Sequence, residues 1–350
     1  MSQAFWPLIN NKSIVSYIEE FCSSETEWNN FIIKKEGNYR QLYNWGKFKS
    51  KTGWKVLRLK INDGLNFSLF QVTYKKFGPF LFSYIPGGVV GSVKLNKQNL
   101  IDFLKKKLKI FFFYLRIDES SVNMKLVDYY LADGWKKPLR SNNTSLSSIF
   151  YVQDESFNTY KNSHRNFRKY LRRSRGFNLK LNINGDCSTK DLLLISNFMS
   201  KKKVAMHNAE EFDYMKKYFE DSSYYCVAYD SRGEPLSYRT IIYINETAWE
   251  IGAATNGKGR EVNAGFFIFD NIINFLKRKG VKYYHLGGLD KKIPGVYKFK
   301  TETGAKSFNY VGEFEYSNLY ILRIAVVCFS LILYSRKLRS LFPFMSKLNV

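Results

Sequence analysis

The sequence contains little cysteine and little histidine. Its four cysteines are widely spaced and include no CxxC pair, which argues against a zinc site and against a disulfide framework. Three histidines leave little scope for a Ser-His-Asp or Cys-His arrangement. The residues concerned are Cys22, Cys187, Cys226, Cys328, His164, His207 and His285. We therefore expect no metal, a reducing compartment and a reaction that needs no nucleophilic side chain.

Acidic residues are scarce relative to basic ones. Fifty-five Lys and Arg residues oppose thirty Asp and Glu residues, so the formal net charge is +25. A charge of this size implies an anionic partner, with RNA, a phosphorylated or diphosphate-linked substrate and an anionic membrane face as candidates. The amino terminus lacks a basic segment followed by an apolar run, so no signal peptide is predicted. We expect a cytoplasmic protein.

The composition suits two ordinary domains. Hydrophobic residues make up 45% of the 350-residue chain and aromatic residues 17%. Residues 40–60 read as a turn-rich approach to a strand; strands at 67–76 and 79–90, a helix at 99–109 and a strand from Phe111 follow. This alternation predicts an α+β fold with mixed sheets. We predict domains at 1–150 and 151–316 and a hydrophobic, basic helical tail at 317–350.

The order of elements in the second half resembles an N-acetyltransferase-like (GNAT) domain. Two amphipathic helices precede three strands, a glycine-rich turn that opens a helix, and a further strand. The turn NGKGREVNAG places free backbone N–H groups at a helix N-terminus, which suits an anion. Acyl-CoA-dependent GNAT proteins carry R-x-x-G-x-G/A here; this chain has Arg260, with Asn263 in place of the middle glycine. The Cβ of Asn263 would crowd the backbone, which weakens the CoA interpretation.

A dense cluster of basic residues lies between Ser156 and Arg175. The spacing predicts a helix with an apolar side that includes Phe167 and Leu171. Its basic residues would form a positive stripe that follows phosphates, or only a solvated basic face. Within the stripe, the candidates to bind an acyl donor or RNA are Arg165, Arg168, Arg172 and Arg173.

The stretch YHLGGLDKKIPGVYKFKTETGAKSFNYVGEFEY, from Tyr284 to Tyr316, predicts the floor of a pocket. A short strand ends in Gly287 and Gly288, where the missing Cβ atoms allow close approach to the backbone. A loop follows, and Lys300 then supplies a compact cation for a phosphate or an oxyanion. The alternative is a β-hairpin with an exposed basic turn.

Five segments, in order along nearly the whole chain, carry a resemblance to one known family. QLYNWGKFKSKTGW is similar to a Q-x-x-x-W motif with its following lysine, SYIPGGVV to a YIPRGP strand end, and LRID to a strand before an acidic turn. NFRKYLRRSRGF is similar to an RR-x-I-rKA-x-k-G segment, and the Tyr284–Tyr316 stretch to a D-x-GG-x…G-x-y-x-FK-x-x-F-G…G-E ending. The chain thus resembles the FemABX peptidyltransferases, which add amino acids to peptidoglycan precursors and consist of two GNAT-like domains.

The resemblance implies direct attack of an acceptor amine on a bound acyl group. Such a reaction needs positioning and charge stabilisation, and no enzyme nucleophile. By similarity to the family's FK pair, Lys300 would stabilise the oxyanion or a leaving oxygen, with Phe299 packed beside it. Asp290 and Glu313 are the candidate proton acceptors, although a carboxylate in a turn is more often a cap.

The resemblance also implies where the acceptor binds. Lys49 would face the acceptor's phosphates, and Tyr84 would line the same side. The arginine that the family uses for the substrate diphosphate has no arginine match, and the nearest residues are Lys203 and His207. The predicted substrate-binding set is Lys49, Tyr84, Lys203, Gly287, Gly288 and Tyr297. The family's YIPRGP has lost its arginine and one proline here, and the chain has no room for a coiled-coil arm, so it resembles the armless members.

Two acyl donors remain open at this stage. Aminoacyl-tRNA accounts for the net charge, the basic stripe and the altered CoA turn, whereas acyl-CoA accounts only for the element order. The leading interpretation is an aminoacyltransferase, without a resident cofactor, that acts on an amine of a peptidoglycan or other cell-envelope precursor. The alternatives are an acyl-CoA-dependent N-acyltransferase acting on an amino sugar, and a non-catalytic RNA- or membrane-binding protein.

The carboxy-terminal segment NLYILRIAVVCFSLILYSRKLRSLFPFMSKL has membrane character. Its apolar run from Ile324 to Leu333 is shorter than the about 20 residues that a membrane span needs. We predict an interfacial helix flanked by Arg336, Lys337 and Arg339, in contact with the inner leaflet where a lipid-linked acceptor would lie. The alternative is a final helix packed on a sheet.

Overall fold

The structure, a computed structural model, describes residues 16–152, 163–183, 189–200 and 209–334. The described strands are β1 (Tyr17–Glu20), β2 (Lys55–Asn62), β3 (Phe67–Phe77), β4 (Phe80–Pro86), β5 (Val90–Gly91), β6 (Phe112–Glu119), β7 (Leu146–Tyr151), β8 (Lys180–Ile183), β9 (Ser223–Tyr229), β10 (Pro235–Ile244), β11 (Thr247–Thr255), β12 (Tyr283–Gly288), β13 (Lys306–Asn309) and β14 (Gly312–Ser317). The described helices are α1 (Glu25–Lys34), α2 (Tyr43–Lys51), α3 (Lys97–Leu108), α4 (Lys125–Ala132), α5 (Arg165–Ser174), α6 (Thr189–Ser200), α7 (Ala209–Phe219), α8 (Gly257–Glu261), α9 (Ala264–Arg278), α10 (Pro294–Glu302) and α11 (Tyr320–Tyr334).

The first sheet has the strand order β1-β2-β3-β4-β6-β14, with β5 also paired to β3. Its strands are antiparallel except for β4 and β6, which run parallel and are connected through α3. Leu100, Ile101 and Leu104 recur at helical spacing and are buried against one face of this sheet. That face forms an apolar core, whereas the opposite face has a second, smaller apolar cluster with Leu69 and Val90 as well as polar residues.

The second sheet has the order β13-β7-β12-β11-β10-β9-β8. Here β11 and β12 are the parallel pair, and α8 and α9 make the connection between them. The buried side chains Ile268, Phe269, Ile272 and Leu276 give α9 one apolar face, which packs in the core of this sheet. The two sheets therefore repeat one arrangement: antiparallel strands, then a parallel pair joined by a helical crossover.

The first sheet is completed by a strand that follows the second unit in the chain. β7 precedes the second unit and pairs with β12 in the second sheet, while β14 follows that unit and pairs with β6 in the first sheet. The predicted range 151–316 therefore includes most of a strand of the first sheet. The polypeptide crosses between the sheets before residue 146 and again near residue 311.

Most predicted elements are confirmed, but two segments were predicted incorrectly. Residues 43–51, expected to be turn-rich, form α2. A Cβ at Gly46 would lie 2.5 Å from Gln71 Oε1, so the glycine lets this helix lie directly on the first sheet. The expected loop or hairpin before Gly304 contains α10, where Pro294 takes the first helical position with its preset φ. Neither of these two helices is apparent from the spacing of the hydrophobic residues.

The described part of the carboxy-terminal segment is α11, which packs on the first sheet. Leu322 and Arg323 face inward and are buried. Arg323 Nε donates to Glu315 Oε1 at 2.6 Å, and this buried ion pair fixes the rotation of the helix. Among the helices that the structure describes, none has the length and apolarity needed to cross a membrane. Arg336, Lys337 and Arg339 lie outside the described residues.

Candidate active site

The parallel pair of the second sheet opens part-way along its length. β11 and β12 are paired from Thr247–Tyr283 to Trp249–His285. Beyond that level β11 continues against β10, and β12 continues against β7. Both of these outer ladders shift register close to the point of separation, and such bulges re-aim a strand. An opening thus forms between the carboxyl-terminal halves of the two strands.

A buried charged cluster lies at this opening. The Arg239 guanidinium is ion-paired with the Glu250 carboxylate, to which Tyr284 Oη also donates at 2.9 Å. Burial disfavours the charged form of Arg239, but Glu250 and Tyr284 outweigh burial and raise the pKa of the guanidinium. Arg239 Nε is buried without a hydrogen-bond partner. The Arg239 guanidinium therefore stays protonated and has one N–H donor that is not used within the cluster.

Lys300 brings a cation to the edge of the same opening. Its Nζ donates to the carbonyl of Gly288 at 3.0 Å, at the free end of β12. Burial lowers the pKa of Lys300, the Glu250 carboxylate partly offsets that effect, and Arg239 adds to it. Gly287 has φ +76°, and a Cβ there would lie 3.6 Å from Lys300 Nζ. A Cβ at Gly288 would lie 2.4 Å from Thr144 Cγ2. The positive φ at position 287 and the close contact at position 288 therefore each favour glycine, whether or not a substrate binds there.

The other predicted residues of this stretch have different surroundings. Phe299 packs in the core among Phe167, Phe266 and Phe269, with ring centroids 5.1 to 6.1 Å apart. Asp290 accepts the backbone N–H of Lys292 at 2.8 Å, as expected of a carboxylate that caps a turn. Tyr297 lies on α10, half-buried.

The basic stripe lies on α5, which packs beside α9 and α10. Phe167 and Leu171 are buried, as predicted, whereas Arg165, Arg168, Arg172 and Arg173 are exposed. Arg168 also donates to the carbonyl of Ser163. The contact of Phe167 with Phe299 places the helix directly behind α10. The stripe thus lies on the exposed side of a helix whose buried side contacts α10, while residues 153–162 lie outside the described chain.

The glycine-rich turn contains the short helix α8 and leads into α9. Asn263 precedes α9 with φ +57° and ψ +34°, the left-handed conformation that asparagine tolerates best after glycine. Its backbone therefore takes the shape that the expected glycine would take. Arg260 is exposed, and one of its donors reaches the carbonyl of Thr255 at 3.2 Å. Phe266, in the first turn of α9, contacts Phe299 of α10, so this turn packs against the helix that carries Lys300.

A second polar site lies on the face of the first sheet away from its apolar core. Tyr84 Oη donates to Asp118 Oδ2 at 3.1 Å, and Arg40 Nη1 donates to the same oxygen at 2.7 Å. Asn143 Nδ2 also reaches Asp118, at 3.0 Å, and is exposed. Burial raises the pKa of Tyr84 well above its ordinary value, so the phenol stays protonated. This cluster opens to solvent at Asn143.

Glu313 and the Pro86-Gly87-Gly88 turn border this second site. Arg116 Nη2 donates to Glu313 Oε2 at 2.7 Å, with both side chains buried. Burial raises the pKa of Glu313, and the Arg116 guanidinium partly offsets the effect. Glu119 lies under the turn, where a Cβ at Gly88 would meet its carboxylate at 2.3 Å. Glu119 thus requires the glycine at position 88, which the family pattern also has, whereas Gly87 stands where the family has arginine and a Cβ there would lie 3.0 Å from Asn38 Cβ.

Lys49 lies on α2, away from the Tyr84 cluster. Its ammonium lies over the Trp54 ring, 5.4 Å from the centroid. Burial lowers the pKa of Lys49 to about 8; Glu211 opposes this effect and Lys75 reinforces it. Lys49 is therefore a cation that changes charge near physiological pH. Lys203 and His207, the predicted substitutes for the family arginine, lie outside the described residues.

Aromatic side chains connect the two sheets. Trp249 stacks on His285 with ring centroids 5.7 Å apart, and its ring centroid also lies 5.7 Å from that of Tyr39, the neighbour of Arg40 in the chain. Tyr310 Oη and His285 Nδ1 are 3.2 Å apart. Burial lowers the pKa of His285 to about 4, so its imidazole is neutral at pH 7. The first-sheet polar site and the second-sheet opening thus share one wall.

Sequence reasoning missed Arg40, Asp118, Arg239 and Glu250. One signal was present: SYRTIIYIN and TAWEIGAAT each carry a single charged residue inside an otherwise apolar or neutral strand. A charge in such a position is costly unless it is paired. What the sequence could not show was which charges meet, because Glu250 is separated from Tyr284 by a helical crossover.

The chain is similar to known proteins in fold but not detectably in sequence. No family model matches the chain, and no curated protein matches its sequence. Among solved structures, FemX superposes with a TM-score of 0.70 over 88% of this chain and 99% of its own, at 14% identity. The chain has the FemX fold. The predicted FemX-like arrangement of two GNAT-like units is thereby confirmed.

Two further structures have the same fold with lower TM-scores. L-PGS from Bacillus licheniformis matches 87% of this chain and 96% of its own, with 15% identity and a TM-score of 0.55. A tandem GNAT protein from the clavulanic acid biosynthesis pathway matches 87% of this chain and 98% of its own, with 8% identity and a TM-score of 0.54. Like FemX, each is matched over nearly its whole length, so the shared fold covers both units.

Metal ligands are a separate question. Within the described ranges, no group of three or more His, Cys, Asp or Glu side chains is placed to hold a metal ion. Beside the Glu250 carboxylate, the polar groups at the opening are two cations, Lys300 and Arg239, and the Tyr284 hydroxyl. Such groups can stabilise negative charge that develops on a substrate.

Proposed function

We propose that this protein transfers an aminoacyl group from aminoacyl-tRNA to an amine of a peptidoglycan or other cell-envelope precursor. One observation carries the proposal: Lys300 lies at the free end of β12, beside an opening whose wall holds the Arg239–Glu250–Tyr284 cluster. A cation fixed beside a crevice in a sheet suits the stabilisation of an oxyanion. The FemX fold supports an acyl-transfer reaction at this place.

The reaction needs no covalent enzyme intermediate. The acceptor amine attacks the ester carbonyl carbon of the donor, a C–N bond forms, and the C–O bond to the ribose breaks. Overall, one proton passes from the amine to the leaving ribose oxygen. The Lys300 ammonium would face the oxyanion of the tetrahedral intermediate, and the Phe299 ring would hold α10 in position. Positioning and charge stabilisation then account for the rate.

The acceptor would lie along the wall shared by the two sheets. Arg40 and Asn143 offer donors at the exposed edge of the Tyr84–Asp118 cluster, and Lys49 provides a further cation on α2. Phosphates of a nucleotide-linked or lipid-linked precursor suit such cations. The aromatic contact of Tyr39 with Trp249 would then lead the acceptor's amine toward the opening.

The exposed stripe on α5 supports RNA as the donor's carrier. Arg165, Arg172 and Arg173 project into solvent on a helix that packs against α10. A second donor, acyl-CoA, is supported by Asn263, whose left-handed backbone reproduces the glycine-like turn at the start of α9. An N-acyltransferase acting on an amino sugar is therefore the second candidate function.

Lys300→Ala tests the proposal, with Lys298→Ala as the matched control. Both side chains belong to α10, but Lys298 is exposed and approaches only Glu302, at 3.9 Å. We expect Lys300→Ala to lower turnover by a factor on the order of 10² to 10³ and Lys298→Ala to leave it unchanged. Mass spectrometry of candidate amine acceptors, with charged tRNA or acyl-CoA supplied in turn, measures the product.

Each outcome has one meaning. Full turnover in a folded Lys300→Ala protein would remove Lys300 from the mechanism. Product with acyl-CoA alone would replace the tRNA proposal with the N-acyltransferase. Absence of product with either donor across the acceptors, combined with binding of RNA or vesicles, would favour the non-catalytic alternative. For location, we propose a cytoplasmic protein bound peripherally at the inner face of the membrane, where a lipid-linked acceptor is accessible.

A further inference from the structure

One end of the first sheet carries exposed aromatic residues. The β3–β4 hairpin turns between Phe77 and Phe80, and the carbonyl of Pro79 accepts the backbone N–H of Phe111 at 3.1 Å. Phe111 is 71% exposed and Phe77 is 49% exposed. Asn318 Nδ2 donates to the carbonyl of Phe111 at 2.7 Å, which places the start of α11 at the same end. Exposed apolar side chains indicate an interaction site where they form a continuous patch.

The outer side of α11 continues this apolar surface. Its inner side is fixed by the buried Arg323–Glu315 ion pair, so the outward residues are determined. They recur at helical spacing and contain no charge. The outward residues are Tyr320, Ile321, Ile324, Ala325, Cys328 and Leu331. We call the combination of these residues with Phe77 and Phe111 the apolar end surface.

Lysines surround the apolar end surface on its α3 side. Lys105, Lys106 and Lys109 lie at the end of α3, immediately before Phe111, and all three are exposed. Lys76 Nζ donates to the carbonyl of Leu108 at 2.7 Å, which ties the hairpin to this cluster. Lys107 is ion-paired with Glu20 at 2.7 Å. The apolar end surface thus has a cationic border.

We propose that the apolar end surface docks on an anionic phospholipid bilayer. The aromatic and aliphatic side chains would enter the headgroup–acyl boundary, and the α3 lysines would face lipid phosphates. Charge complementarity favours a membrane over a second copy of the chain, because a second copy would bring the same lysines against one another. The proposed lipid-linked acceptor gives docking a purpose, but docking does not depend on catalysis.

Vesicle flotation of the full chain tests the proposal, with phosphatidylcholine vesicles that contain or lack phosphatidylglycerol. We expect binding only to the anionic vesicles, weakened by added salt. Phe111→Ser combined with Ile321→Ser should lower the partition coefficient by about tenfold for each side chain. Replacing Lys105, Lys106 and Lys109 with Gln should lower it by about fivefold for each lysine.

Matched control variants distinguish binding through this surface from non-specific binding to vesicles. Leu65→Ser removes an 81% exposed side chain at the opposite end of the first sheet. A triple variant removes three exposed lysines outside the surface by changing Lys34, Lys35 and Lys125 to Gln. Both should bind like the unaltered chain. Equal binding by the Phe111/Ile321 variant, or a dimer that ignores vesicles, would overturn the proposal. Lys300→Ala should float normally, so loss of activity and loss of docking are distinguishable.

Discussion

The two sheets share one strand order but differ at their parallel pair. In the first sheet β4 and β6 stay paired from Phe80–Phe112 to Pro86–Asp118, the end of β4. In the second, pairing of β11 and β12 stops at Trp249–His285, and both strands continue apart. A crevice beyond the carboxyl ends of parallel strands is where open α/β sheets bind ligands. This difference supports the proposed placement of the reaction at the second sheet, with the first sheet in a supporting or acceptor-binding role.

Both sheets also contain a buried Arg–Glu–Tyr cluster, with different neighbours. In the first sheet Glu315 accepts from Arg323 and from Tyr114 Oη at 2.6 Å, and the cluster anchors α11. In the second sheet Glu250 accepts from Arg239 and Tyr284, next to Lys300. The same chemistry is thus structural in one unit and adjacent to the candidate site in the other.

The largest predicted effects come from breaking these two clusters separately. Glu315→Gln and Glu250→Gln each leave a buried guanidinium without its counter-ion, which typically costs about 3–5 kcal/mol. We expect both to lower the free energy of unfolding by that amount in denaturant titrations. Glu250→Gln should also lower turnover, because Lys300 loses the carboxylate that raises its pKa and fewer molecules carry the cation.

The contrast between the two variants is the informative result. Glu315 makes no contact with the opening among its hydrogen bonds to Arg323, Tyr114 and Leu139. Without denaturant, and at a temperature where both variants stay folded, Glu315→Gln should retain the turnover of the unaltered chain. Equal turnover in the two variants would mean that the Glu250 cluster is as purely structural as the Glu315 cluster.

Much of the fold was accessible from the sequence because its elements have strong periodic signals. The strands at Phe67–Phe77 and Ser223–Tyr229 and the helix at Lys97–Leu108 were predicted within a few residues. α2 and α10 were missed, since each depends on a contact with the sheet or a neighbouring helix that local sequence does not encode. The Lys300 stretch was found through the family resemblance, and its own residues left a hairpin equally open.

The candidate site was predictable only in part, for a physical reason. Residues near one another in sequence, such as Gly287, Gly288 and Lys300, were singled out together and do meet. Arg239 and Glu250 come from different strands and become neighbours only once the sheet forms. The return of β14 to the first sheet was likewise hidden, because a strand's own sequence does not state which sheet it completes.

A smaller effect should appear on the acceptor side, in the first unit. Burial lowers the pKa of Lys49 to about 8, so its ammonium is present below that pH and lost above it. If the charged form binds acceptor phosphate, the KM for the acceptor should rise above about pH 8, by up to tenfold per pH unit. Lys49→Arg keeps the charge and should make the KM independent of pH between 7 and about 9.5.

Steady-state kinetics at fixed donor concentration measures this dependence. Lys47→Arg, on the same helix but paired with Glu25, is the control and should leave the rise in KM intact. A pH-independent KM in the unaltered chain would place the acceptor's phosphates elsewhere, with the Arg40 edge of the Tyr84 cluster as the remaining candidate. The result therefore decides which part of the first unit binds the acceptor.

The smallest predicted effect is on the salt dependence of tRNA binding, compared between variants that remove cations from the second unit and from the first. Arg172 and Arg173 are exposed on α5, the helix that packs against α10 in the second unit. If both contact phosphates, Arg172→Gln with Arg173→Gln should reduce the slope of log binding constant against log salt by about 0.7–0.9 for each arginine. Lys34→Gln with Lys35→Gln removes the same charge from the first unit and should leave the slope unchanged. Equal reductions would mean that the net charge of +25, and no particular helix, attracts the RNA.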